Sequence, residues 1–183
     1  LPADTAKYRV VNFKNNENII LNGWFFEDRD NDKTVVIAHS HGKNSLEFED
    51  NTFDLYEGFT SRGYNVLAFD LRNAGESEGI ISTHANTEKD DIAAAIKYVK
   101  QQGSNHIVLL GFSTGATASL MASAEDSSVA AVIADSPFFS FDQYIDNYLK
   151  NTKLPNFIFS KTIKKSTEIL GGFNGYDIST EDF

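Results

Sequence analysis

An α/β fold is what this sequence predicts: a mostly parallel central sheet opened by an antiparallel hairpin, with helices on both faces. Three observations carry that expectation. Short, nearly continuous apolar runs recur at residues 34–38, 65–70, 106–112 and 129–134, as buried parallel strands do. Helical patterns alternate with them, the order from which right-handed crossovers build a parallel sheet. Ahead of them stand two runs rich in β-branched and aromatic residues, 8–13 and 18–27, parted by the polar turn Lys14-Asn15-Asn16-Glu17.

The elements follow in order. The hairpin belongs at a sheet edge. Residues 34–38 form the first buried strand and end in His39-Ser40-His41-Gly42. A helix is expected from about residue 46 to 62, with Phe48, Phe53, Leu55, Tyr56 and Phe59 sharing a face and Gly63 in the place of a left-handed cap. After the strand at 65–70 comes a polar loop to Gly79. A further helix then opens with Thr87 as N-cap, Asp90 and Asp91 in its first turns, and Ile92, Ala95, Ile96 and Val99 facing inward. The strand at 106–112 runs directly into Ser113-Thr114-Gly115 and a small-residue helix over 116–124. The fourth buried strand, 129–134, ends at Asp135-Ser136-Pro137. Beyond it the pattern changes to short helices over 144–149 and 157–170. The domain expectation is therefore a core over 1–137 and a helical cap over 138–183.

Composition narrows the functional classes. The chain has 183 residues, 41% apolar and 13% aromatic, which is too hydrophobic for general disorder. A net charge of −10 argues against a nucleic-acid backbone or an anionic membrane surface as partner. With no cysteine there is no disulfide, no thiolate metal site and no Cys nucleophile. No apolar stretch is long enough to cross a bilayer. The first residue is Leu1 rather than Met, so an upstream piece is expected to have been removed.

The sharpest chemical signal is Gly111-Phe112-Ser113-Thr114-Gly115, set between an apolar strand and a helix. A serine in that strand-turn-helix setting is a candidate nucleophile, because the tight turn lifts its hydroxyl above the sheet at a helix N-terminus. The flanking glycines remove side chains that would collide across the turn. In such a site the backbone N–H of Thr114 supplies one oxyanion donor and the N–H of Lys43, after His41-Gly42, supplies the other. His41 reads as a turn residue and His39 as a satisfied residue at a strand end. His39-Ser40-His41 also resembles the metal-binding turn of metallo-β-lactamase-like hydrolases. Lys43 and Asn44 stand where those proteins place Asp and His, so no metal is expected. The loop Asp70-Leu71-Arg72-Asn73-Ala74-Gly75-Glu76-Ser77-Glu78-Gly79 reads as hydrogen-bonded support for the same end of the sheet.

His41-Gly42, this D-x-R-x-x-G-x-S-x-G loop and GFSTG, in that order, resemble the α/β-hydrolase superfamily, and within it Bem46-like and serine-aminopeptidase-like bacterial hydrolases. The resemblance spans about residues 18–137. It implies a Ser-His-Asp hydrolase of esters, amides or related acyl compounds, acting on a small-molecule acyl substrate without cofactor or metal. The aromatic tail resembles the cap that many members insert after the sixth strand.

One departure stands out. Members carry nucleophile, acid and base in that chain order, yet His39, His41, His84 and His106 all precede Ser113. Asp135 and His84 are weak candidates for acid and base. The expectation is therefore the N-terminal two-thirds of a hydrolase, with C-terminal strands, acid and histidine missing and the isolated chain inactive. The alternative is a non-catalytic binding module on the same fold.

Overall fold

The computed structural model describes residues 8–27, 31–152, 156–172, 174, 175 and 178. Among these, six strands form one sheet: β1 Tyr8–Lys14, β2 Ile20–Phe26, β3 Lys33–Ala38, β4 Asn65–Phe69, β5 His106–Phe112 and β6 Val129–Asp135, in the order β1-β2-β4-β3-β5-β6. β1 and β2 pair antiparallel and β2 joins β4 antiparallel, whereas β3 pairs parallel with both β4 and β5, and β5 with β6. The helices are α1 Thr52–Thr60, α2 Glu88–Gln101, α3 Thr114–Glu125, α4 Phe141–Thr152 and α5 Asn156–Gly171.

The apolar runs are uninterrupted because both faces of the central strands are covered. Along β3, Val36 and Ala38 pack into a cluster with Ile92, Ile96, Leu109 and Met121 from the α2 and α3 side. Val35 and Ile37 pack on the opposite face with Val66, Leu110 and Tyr56 of α1. At roughly 25 cal/mol per Å² of apolar surface, such two-sided burial is the main force holding the layers together.

Three expectations are corrected. The helix begins at Thr52, not near residue 46, after a 3-10 turn at Glu49–Asn51. The preceding segment is tied elsewhere: the Ser45 N–H donates to Asp70 at 2.7 Å and the Tyr56 hydroxyl donates to the Ser45 carbonyl. Thr87 stands at the N-cap of α2 but makes no capping bond; its hydroxyl meets Thr83 instead. Glu88 reaches back and ties down the preceding loop, accepting from the N–H groups of Thr83 (2.9 Å) and Ala85 (3.0 Å). Finally, β6 is not a buried strand. It lies at the sheet edge with Ala130, Ala131 and Ile133 exposed, because only one neighbouring strand pairs with it among the described residues.

Gly63 has the left-handed φ of 77° expected after α1. No strand follows β6 among the described residues, and none of their helices is long and apolar enough to cross a membrane.

Candidate active site

At the carboxyl end of β5 the chain turns abruptly into α3, and Ser113 occupies the turn with φ 49° and ψ −111°. A non-glycine residue there stores strain, which the surroundings must hold. They do so from both sides: the Ser113 N–H donates to the Asp135 carbonyl at 2.9 Å, and the Ser113 carbonyl accepts from the Thr117 N–H at 3.0 Å. The two glycines are sterically required. A Cβ on Gly111 would lie 2.4 Å from the Gly115 carbonyl oxygen, and one on Gly115 would lie 2.4 Å from that of Ala38. Ser113 is half-buried, and among the described residues its hydroxyl has no hydrogen-bond partner.

Beside the elbow opens a cavity of about 930 Å³ whose walls include His41, Lys43, Asn44, Asn73, Ser82 and Thr114. Thr114 is the first residue of α3, so its N–H has no carbonyl partner within the helix. The residue is only 1% exposed and its hydroxyl has no partner among the described residues. Lys43 lines the same cavity, but the free donor expected of it is not free. The Lys43 N–H donates to the Ser40 carbonyl at 3.2 Å, closing the turn that Gly42 permits at φ 74°. Ser40 is itself clamped, its N–H and hydroxyl both donating to the Glu47 carboxylate at 2.6 Å.

The loop after β4 is scaffolding. Asp70 accepts from the N–H groups of Ser45 and Glu76, and Gly75 leaves the space that the Asp70 carboxylate fills. Arg72 meets the buried Asp91 of α2 through its N–H, Nε and Nη2, and Glu17 of the hairpin turn through Nη1. Burial opposes its charge, but Asp91 and Glu17 hold the guanidinium above its ordinary pKa.

The histidines separate into distinct environments. His39 is buried and satisfied at both nitrogens: Nε2 accepts from the Leu71 N–H at 2.9 Å and Nδ1 donates to the Ser40 carbonyl at 2.7 Å. Burial holds its pKa below the usual histidine value. His41 is exposed, with Nδ1 3.3 Å from the Ser82 hydroxyl. The His84 ring lies 4.5 Å from that of His41 and 4.7 Å from that of Tyr144 on α4. Burial, with His41 beside it, pushes His84 down to about 4 against the pull of Glu88. No hydrogen bond joins it to Ser113; its ring packs instead against His41, Phe141 and Tyr144. His106 begins β5, at the strand end opposite Ser113, 3.9 Å from Asp32. The Asp135 carboxylate is exposed and accepts from the Ser136 hydroxyl.

So the structure brings Lys43 and Thr114 to one cavity next to Ser113, and connects neither His84 nor Asp135 to the Ser113 hydroxyl. Sequence reading missed the Glu47 clamp on Ser40 and the docking of α4 through Tyr144. The one available signal was the carboxylate run in residues 47–50, which is indistinguishable from a solvated surface.

This sheet order and strand-serine-helix turn define an α/β hydrolase. The chain belongs to that family: the model of the α/β hydrolase fold matches residues 33–164. It is 28% identical over 165 residues to an uncharacterized protein, YqkD, of Bacillus subtilis, covering 87% of this chain and 52% of that one. It is 30% identical over 133 residues to a thiohydrolase of Arthrinium phaeospermum, covering 69% of this chain and 42% of that one. A solved esterase of Pyrococcus furiosus superposes with a TM-score of 0.72 at 31% identity, over 85% of this chain and 60% of the esterase. The chain thus spans about half the length of the curated relatives it matches.

Proposed function

We propose that this protein is a serine hydrolase of small-molecule esters, amides or related acyl compounds, with Ser113 as nucleophile. The observation that carries this is the Ser113 backbone: φ 49° between β5 and the N-terminus of a 12-residue helix, beside a cavity. In the reaction the Ser113 oxygen adds to the acyl carbon and its proton passes to a base. The leaving group departs with a proton, and water then releases the acid. The Thr114 N–H stabilises the oxyanion from the helix end, and Lys43 does so once its N–H leaves Ser40. The esterase and thiohydrolase relatives favour this reading.

A hydroxyl needs a base to be a good nucleophile near neutral pH. His39 has both nitrogens engaged, His106 is at the far strand end, His84 is stacked away, and the exposed His41 meets the Ser82 hydroxyl through Nδ1. Residues 1–183 alone should therefore turn over p-nitrophenyl acetate far more slowly than an ordinary enzyme, since losing the base costs several orders of magnitude, roughly 10⁴-fold or more. The full-length gene product should react with a fluorophosphonate at Ser113 and lose all esterase activity on Ser113→Ala. The engaged Lys43 N–H favours a second reading, a non-catalytic binding module. Absence of phosphonylation at Ser113 in the full-length product would establish that module instead.

A further inference from the structure

His39 is buried at the end of β3, where an apolar residue would suffice for packing, yet both of its nitrogens are committed. Its Nδ1 donates to the Ser40 carbonyl at 2.7 Å. The same oxygen accepts the Lys43 N–H at 3.2 Å, the longer of the two bonds. A carbonyl oxygen has two lone pairs, and here they serve one permanent and one exchangeable donor. We infer that His39 is a positioning residue of the oxyanion turn: it satisfies the Ser40 carbonyl so that the Lys43 N–H is released to the substrate oxygen. This rests on the reading of Ser113 as nucleophile.

Four features of the molecule converge on that role. The Leu71 N–H donates to Nε2 at 2.9 Å, which fixes the ring and its tautomer from the loop that Arg72 pins. Ser40 is held at its N–H and hydroxyl by Glu47, so the turn is anchored at its first residue. Gly42, at φ 74° with open space where a Cβ would be, is the point at which the turn can move. The turn also touches the elbow: a Cβ on Gly115 would lie 2.6 Å from the His39 carbonyl oxygen, and Thr114, the residue before it, keeps an unpartnered hydroxyl in the wall of the same cavity.

The exchange then costs little. When the Lys43 N–H swings to a developing oxyanion, the half-buried Ser40 carbonyl retains its shorter bond to His39. Without His39 the Lys43 N–H would be that carbonyl's one partner among the described residues, and surrendering it would break the only protein hydrogen bond left to this oxygen in the cavity wall.

Two amide substitutions in the full-length gene product separate the two nitrogens. In His39→Asn the side-chain amide reaches about as far as Nδ1 and keeps the donor to Ser40. In His39→Gln it reaches as far as Nε2 and keeps only the Leu71 side. The Asn variant should retain kcat within about 3-fold, while the Gln variant loses about 10-fold to 100-fold in kcat with KM little changed, approaching the loss of one oxyanion donor. Equal kcat in the two variants, or losses that follow their melting temperatures, would overturn the role. Should both fail to fold, the wild type decides by amide NMR. Phosphonylation of Ser113 should shift the Lys43 N–H and leave the His39 Nδ1–H in place, and an unmoved Lys43 resonance refutes the exchange. Ser113→Ala is run alongside. Activity surviving in that variant sinks the nucleophile itself, whereas its loss with indistinguishable Asn and Gln variants sinks only the role of His39.

Discussion

At position 115 a methyl group would lie 2.4 Å from the Ala38 carbonyl oxygen and 2.6 Å from that of His39. Both are backbone atoms, one at the end of β3 and one in the residue after it, so neither yields by a side-chain rotation. Gly115→Ala should therefore destabilise the fold by about 1–3 kcal/mol, as overpacking does. Gly103→Ala is the control, because its Cβ meets nothing within 4 Å and suffers only the φ of 97°, worth about 1 kcal/mol. Urea unfolding of the two variants should rank Gly115→Ala lower, and equal midpoints would remove the steric account of the GxSxG turn. Steric demand of this kind is legible in sequence because it fixes residue type. The state of the Lys43 N–H was not legible, since every residue but proline carries that donor and its partner depends on the turn. The partners of His39 were equally hidden: one is adjacent at Ser40, the other 32 residues away at Leu71.

Between elements, the buried Arg72–Asp91 pair joins the loop after β4 to the first turn of α2, and Asn15 and Glu17 extend it to the hairpin. Desolvation makes such a pair a modest net stabiliser, but removing one partner strands the other charge. Asp91→Ala should thus cost about 3–5 kcal/mol, and Arg72→Met added to it should recover part of that loss. Chemical denaturation of the single and double variants checks the sign; a double variant weaker than the single by the full Arg72→Met cost would mean the two residues are uncoupled. The sequence showed Arg72 as a pin without naming its carboxylate, because Asp90 and Asp91 are neighbours and only helix phase selects the inward one. Asp91 is fully buried and Asp90 half-buried. The N-cap of α2 was misjudged for a similar reason: Thr87 has the favoured type, but its hydroxyl is taken up by Thr83, and the first-turn N–H groups of Lys89 and Asp90 find the Ala85 and Thr87 carbonyls instead.

Across the whole molecule, the strand-helix alternation was legible because two covered faces leave an apolar run in each central strand. The exposure of β6 was not legible in its own residues, which are apolar although Ile133 is 48% exposed; it followed only from the expected lack of strands beyond it. The joint between core and α4 is also a product of the assembled fold, and it makes stability depend on pH. His84 is enclosed by His41, Tyr144 and Phe141, with a buried Nδ1 that has no partner among the described residues. Its pKa is about 4 in the folded protein, against roughly 6.5 when unfolded. Between those values the unfolded chain binds the extra proton and the folded chain does not, so stability falls as pH falls. This contribution is complete above about pH 6.5, declines through the interval, and is gone below the folded value near 4. His39, also held below its ordinary value by burial, adds to the decline in the same direction. Replacing His84 by Asn, which tolerates the left-handed φ and does not titrate, should lower stability at every pH while flattening the curve. Unfolding free energies at pH 7.5 and pH 5 should differ by less in His84→Asn than in the wild type, and an identical difference in both would show that His84 titrates normally in the folded protein.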